Sequence, residues 1–184
     1  MAAVAPDSSL RSWTVSDAAV WAKFAGTALE GYEQTFLSLA SRYSVDPNWA
    51  LAYLQWESGF GRAGVSTQNS TNPWDILSYP GQWGQVDEYR PGNGYAYAVY
   101  GSVETGLEAG FRLWSSYADA GYGTWFASLS RALCGNAGGC PGSTWVQSVI
   151  DQGRWNAEHW PSDGSSGNGG GSGLGNASMA PNIA

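Results

Sequence analysis

The sequence predicts a mainly α fold of the α+β kind: a helical lobe plus a small strand and loop lobe flanking a cleft. Three observations carry this reading. Apolar residues recur at helical spacing in three stretches before residue 59 and again after residue 101. Between residues 60 and 100 that period is lost, and Gly, Pro, Asn and aromatics dominate. The best helix is bracketed by its own signals: Asp46-Pro47 opens it and Gly59 with Gly61 closes it.

In order, residues 1–13 read as a loose arm. A first helix over 16–28 carries Ala19, Val20, Ala22, Phe24 and Ala25, with Ser16 or Thr14 as its cap. A second over 29–43 places Tyr32, Phe36, Leu37 and Ala40 at helical spacing. The third spans 47–58. Short strands are expected around Trp83–Val86 and Tyr95–Val99. Ser102, with Glu104 in the first turn, opens a fourth helix to about Ala118, burying Val103, Leu107, Phe111 and Trp114. Residues 124–134 and 143–158 supply two more. The main domain therefore runs over 14–160. Half of the segment 161–184 is Gly or Ser, which cannot pack a core and reads as a flexible tail or linker.

Composition bounds the function. With 184 residues, 43% hydrophobic and 12% charged, the chain suits one globular domain. A net charge of −7 leaves no basic stripe for phosphates, so no nucleic-acid partner is expected. No apolar run approaches the roughly 18 residues of a membrane span, and membrane insertion is not expected. The N-terminus lacks a charged region followed by an apolar one, so it is not an intact signal peptide. Export is expected either through a signal already removed or by release on host lysis. Cys134 and Cys140 flank a small Gly-rich spacer that lets them close a short loop as a disulfide, the alternative being two free thiols. Two Cys and one distant His make a poor zinc set, and neither metal nor cofactor is expected. Eleven Trp and ten Tyr are enough to fill a core and still line a glycan cleft.

The chemistry centres on Glu57. It falls in the last turn of the third helix, beside the negative end of the helix dipole, with Trp56 and Phe60 as apolar neighbours. Both effects disfavour the charged form, and a carboxyl kept neutral near working pH can protonate a leaving oxygen. The second group is Asp75, in the turn that follows, or Asp87 or Glu88, farther on in the segment Gln82–Arg90, with Glu88 the preferred one, or else there is no second carboxylate at all. Asp75 also suits a turn that bonds its own backbone, and Asp87 or Glu88 a solvated charge paired with Arg90. Glu104 and Glu108 suit caps or solvated helix charges. His159, the sole His, lies far from any nucleophile motif.

Three short motifs follow one another: Glu57-Ser58-Gly59-Phe60-Gly61, Asn72-Pro73-Trp74-Asp75-Ile76, and Tyr97-Ala98-Val99-Tyr100-Gly101-Ser102. In order and spacing they resemble the lysozyme superfamily, and most closely the glucosaminidase-type peptidoglycan hydrolases, over roughly residues 30–150. Asp75 stands where that family usually has Gly, Ala98 where it has Arg, and 139–145 lacks a family Tyr. The resemblance implies a lysozyme-like fold and cleavage of β-1,4 glycosidic bonds in peptidoglycan, with Glu57 as general acid. It implies that Tyr100 lines the cleft near Glu57, the alternative being a buried Tyr with its hydroxyl satisfied, and that Asn72 and Trp74 shape the cleft floor. Phe60, Trp83, Tyr95 and Tyr97, with Tyr89, are candidates for contact with sugar. The expected protein is a monomer acting outside the cell or in the cell wall. A lytic transglycosylase would follow its Glu-Ser with Gly-Leu-Met-Gln, absent here. The other rival is a glycan-binding module on the same frame.

Overall fold

The computed structural model describes residues 15–79, 81–122, 128–129 and 144–161. Among the described residues the regular structure includes five helices and one antiparallel strand pair, with a short 3-10 turn at Val65–Thr67. The fold is mainly helical with a small sheet, as expected. The N-terminal arm, the helix expected over 124–134, the Cys134–Cys140 loop and the tail after Pro161 lie outside the described residues, except for Ser128 and Leu129.

α1 (Asp17–Phe24) and α2 (Glu33–Arg42) are shorter than the sequence pattern suggests. Turn chemistry outcompetes the helical period between them. Gly26 and Gly31 sit at φ +67° and +91°. The Thr27 hydroxyl donates to the Phe24 carbonyl, and Glu33 accepts from the Gly31 N–H. α3 (Pro47–Ser58) matches its signals: the Asp46 side chain accepts from the Asn48 N–H at 2.7 Å, and Gly59 closes the helix in the left-handed conformation. It is the central helix, buried from Asn48 to Leu54. α4 (Val103–Asp119) begins under a Ser102 cap that accepts from the Thr105 N–H. α5 (Trp145–His159) packs along α3, where the Asn48 amide donates to the Gly153 carbonyl at 2.8 Å.

The small lobe hangs from α3 and α4. β1 (Gln85–Tyr89) pairs with β2 (Tyr97–Tyr100), Glu88 opposite Ala98 and Tyr89 opposite Tyr97. Leu77 bridges to Tyr97 and ties in the preceding turn. The core is aromatic. Trp49, Tyr53 and Trp114 meet edge to face or tilted at 4.6–5.7 Å, and Phe111 joins Trp74 to Phe36.

Two glycines inside α4 decide where the small lobe sits. A β-carbon on Gly106 would lie 1.8 Å from the Thr71 carbonyl oxygen, and one on Gly110 would lie 2.2 Å from the Trp74 ring. Glycine is disfavoured in a helix interior. Here it lets the 71–74 turn press onto the helix, close enough for the Trp74 indole to donate to the Leu107 carbonyl at 3.2 Å.

Candidate active site

Where α3 ends, its last turn faces a cleft of about 300 Å³. Tyr53 and Glu57 come from α3, Trp74 to Leu77 from the turn, and Leu113, Trp114 and Tyr117 from α4. Tyr79, Gln82, Tyr95 and Tyr97 complete the lining from the small lobe. No Lys, Arg or His is among these lining residues, so the two carboxyls, Glu57 and Asp75, carry the cleft's charge.

Glu57 is pushed up to about 7, first by burial and then by the charge of Asp75; a hydrogen bond from the Tyr53 hydroxyl pulls the other way. The sequence reading anticipated the direction and named the wrong neighbours. Phe60 does not reach the cleft: it turns at φ +61° into the core and packs on Phe24 at 5.5 Å between ring centres. Trp56 is partly exposed and outside the lining. The apolar walls are Trp74, Trp114 and Tyr117 instead. Tyr53 went unnoticed in the sequence, although its place one helical turn before Glu57 puts both on one helix face.

Asp75 is the one second-group candidate that shares the cleft with Glu57. Its carboxyl is raised to about 6 by burial, opposed by hydrogen bonds from the backbone N–H groups of Val65 and Ser66. Ser58 fixes the two acids relative to each other: its hydroxyl donates to the Pro73 carbonyl at 2.8 Å and accepts from the Gly61 N–H. The helix end and the turn bearing Asp75 are thus joined at the residue next to Glu57. The preferred candidate, Glu88, is elsewhere. It projects from β1, exposed and paired with Arg90 at 2.7 Å, and its neighbour Asp87 is also exposed. Neither lines the cleft. Successive strand residues point to opposite faces of the ribbon, and β1 is exposed from Val86 through Glu88, so both acids meet solvent.

The remaining candidates separate cleanly. Tyr95 and Tyr97 line the cleft, Tyr95 with an exposed ring at its rim beside Tyr79. Trp74 forms a buried wall. Asn72 is fully buried and acts from behind: its amide donates to the Ile76 and Ala98 carbonyls and its oxygen accepts from the Ile76 N–H, which clamps the turn to β2. Tyr100, expected in the cleft, is buried outside it, with burial pushing its phenol up to about 12. Trp83 sits in a separate hollow with Gly84, Thr105, Glu108 and Arg112. Tyr89 bonds to Gln68 away from the cleft. Glu104 and Glu108 behave as helix charges, Glu108 bonded to Tyr43, Arg42 and Arg112. His159 stacks on Trp155. No group of three or more potential metal ligands occurs among the described residues.

No family model matches the chain, and no curated protein does. Among solved structures it is similar to one described as a type VI secretion system effector-immunity complex from Pseudomonas protegens. The two are 12% identical with a TM-score of 0.49, over 71% of this chain and 92% of that chain.

The arrangement has a definite chemical capacity. One carboxyl retains its proton near neutrality, and another, lower in pKa, lies in the same cleft. Burial raises both carboxyls, and Glu57, the higher of the two, is the one that keeps its proton longer as pH rises. Gln82 adds a buried acceptor, Oε1, without a hydrogen-bond partner among the described residues, suited to a hydroxyl or amide N–H of a bound ligand.

Proposed function

We propose that this protein hydrolyses β-1,4 glycosidic bonds in the glycan strands of bacterial peptidoglycan, with Glu57 as general acid. The observation that carries the reading is a carboxyl held protonated up to about pH 7 inside an aromatic cleft. The three sequence motifs support it, since they resemble those of glucosaminidase-type hydrolases. The cleft's makeup fits a neutral, hydroxyl-rich substrate: aromatic faces at Tyr79, Tyr95 and Tyr97 and, among the described residues, an unpaired acceptor at Gln82 and no basic side chain in the lining to hold a phosphate. On this reading the protein works in the cell wall. With a net charge of −7 it gains no attraction to an anionic wall, so binding rests on the cleft or on a separate wall-binding module.

In the reaction Glu57 gives its proton to the glycosidic oxygen as the bond to the anomeric carbon breaks, and water completes the hydrolysis. Activity then falls as pH rises through about 7 and Glu57 ionises. The test is mass spectrometry of products from purified peptidoglycan, after borohydride reduction. New reducible ends support hydrolysis, and the sugar bearing them names the bond. Glu57→Gln is expected to lose product formation by about a thousandfold or more while keeping its fold. Anhydro-muropeptides would replace hydrolysis with the transglycosylase reaction, and full activity in Glu57→Gln would overturn the assignment of the acid.

A further inference from the structure

We propose that Asp75 is the second carboxylate of this site, the anion that faces the sugar's developing positive charge while Glu57 protonates the leaving oxygen; this rests on the glycosidase reading above. The backbone gives the first argument. Asp75 sits at φ +50°, a left-handed conformation in which a β-carbon is crowded and which glycine adopts freely. The side chain gives the second. The carboxylate is held by the Val65 and Ser66 N–H groups, yet its Oδ1 is buried with no hydrogen-bond partner among the described residues. A strained backbone and a half-satisfied buried carboxylate both work against stability, and such costs gather at functional sites.

The chain after α3 packs closely on the Asp75 carboxyl. Gly64, at φ +68°, lies against it and against the end of α3: a β-carbon there would come within 2.9 Å of Asp75 Oδ2 and 3.3 Å of the Glu57 backbone carbonyl oxygen. The groups facing the pair are Tyr53 on α3, Tyr117 on α4, and Tyr79, Tyr95 and Tyr97 from the small lobe. None of these brings a positive charge, so ionised Asp75 raises the cost of ionising Glu57 and helps it keep its proton. As the bond between the anomeric carbon and oxygen breaks, its electron pair stays on the leaving oxygen, which takes the Glu57 proton. Water then adds to the anomeric carbon and returns one proton to Glu57. Asp75 remains an anion throughout and stabilises the oxocarbenium-like charge.

The experiment compares Asp75→Asn and Asp75→Gly with the parent, Glu57 being intact in all three. Three quantities are read: release of reducing ends from peptidoglycan, thermal midpoint, and the Glu57 carboxyl titration by carbon-13 NMR. Both variants are expected to lose at least a hundredfold in rate. Asp75→Gly should melt at or above the parent temperature, because glycine relieves the backbone. The Glu57 midpoint should move to lower pH in both. A variant that keeps more than a third of the parent rate overturns the proposal, and so does an unmoved Glu57 midpoint. Loss of rate that tracks a fall in melting temperature in both variants also overturns it, by making Asp75 a turn residue alone. If the parent itself releases nothing while the Glu57 midpoint still moves, the glycosidase reading has failed, and the proposal with it, for a reason distinct from the choice of Asp75.

Discussion

Two pairs of acids can be compared in this molecule. Glu57 and Asp75 belong to different elements, the end of α3 and the turn beyond it, whereas Glu88 lies beside Asp87 on β1. The first pair is brought together by tertiary structure, partly desolvated and without a cation in the cleft. The second is solvated, and Glu88 is neutralised by Arg90 at 2.7 Å. Both pairs have the right residue type for glycosidic chemistry. Only the first has the environment that separates two carboxyl roles, which means that burial and a shared cleft carry more information here than position in a motif.

The largest difference between the two regions should appear in how they tolerate added volume. Gly110→Val places atoms where the Trp74 ring stands, at 2.2 Å for the first carbon alone, and Trp74 supports both the turn and the cleft wall. A loss of about 3 kcal/mol is expected, with activity falling in parallel. Gly94→Ala, near β2 where nothing lies within 4 Å, should cost only about 1 kcal/mol, through its φ of +87°. Urea unfolding of both variants measures this. Equal losses would mean that the turn does not depend on its seat against α4.

Next in size is the pH dependence of stability. Glu57 titrates near 7 in the fold against 4.5 for the free group. Below 4.5 it is protonated in both states. Between 4.5 and 7 the folded state binds the extra proton, so the stability that this group confers declines as pH rises across that window. Glu57→Gln removes the penalty of a buried charge. It should therefore be more stable than the parent by about 1–3 kcal/mol at pH 8 and no more stable at pH 4. Melting curves at the two pH values decide this, and a difference that stays constant with pH would show that Glu57 is not desolvated. The variant expected to lose activity is thus also expected to gain stability, as befits a group placed for chemistry.

The same contrast explains what could be read in the sequence. α3 and its glutamate were legible because caps, proline and closing glycines are local signals, and so was the α4 start at Ser102. The apolar face of α4 was readable too, with Leu107, Phe111 and Trp114 buried. The boundaries of α1 and α2 were missed because Gly26 and Gly31 break a hydrophobic period that runs on past them. The roles of Tyr100 and Phe60 were misplaced because a motif fixes order along the chain, whereas access to the cleft depends on which way a residue faces. Phe60, at φ +61°, faces Phe24. The glycines of α4 did leave a mark, one helical turn apart inside an otherwise well-formed helix. Their meaning is the seat of the 71–74 turn, the Thr71 carbonyl against Gly106 and the Trp74 ring against Gly110, and that turn lies on the far side of the strand pair in the chain.

The smallest expected effect falls on the acid that the sequence favoured. Glu88→Gln removes one partner of an exposed ion pair and one contact with Ser78, at 3.4 Å. Exposed pairs contribute about 0–1 kcal/mol, because water and salt screen them and two long side chains lose freedom to hold one geometry. Stability should shift by less than about 0.5 kcal/mol, and release of reducing ends should stay within roughly twofold of the parent. The comparison is demanding, because Glu88 lies opposite Ala98 on the strand that carries Tyr97 into the cleft. If β1 swung inward on binding glycan, Arg90 would have to release Glu88, and Glu88→Gln would then lower kcat about a hundredfold with the fold unchanged. That outcome would assign the second carboxylate to the sheet and make the apo cleft an open form. A rate within twofold removes Glu88 from the chemistry and leaves Asp75 as the candidate that shares the cleft with Glu57.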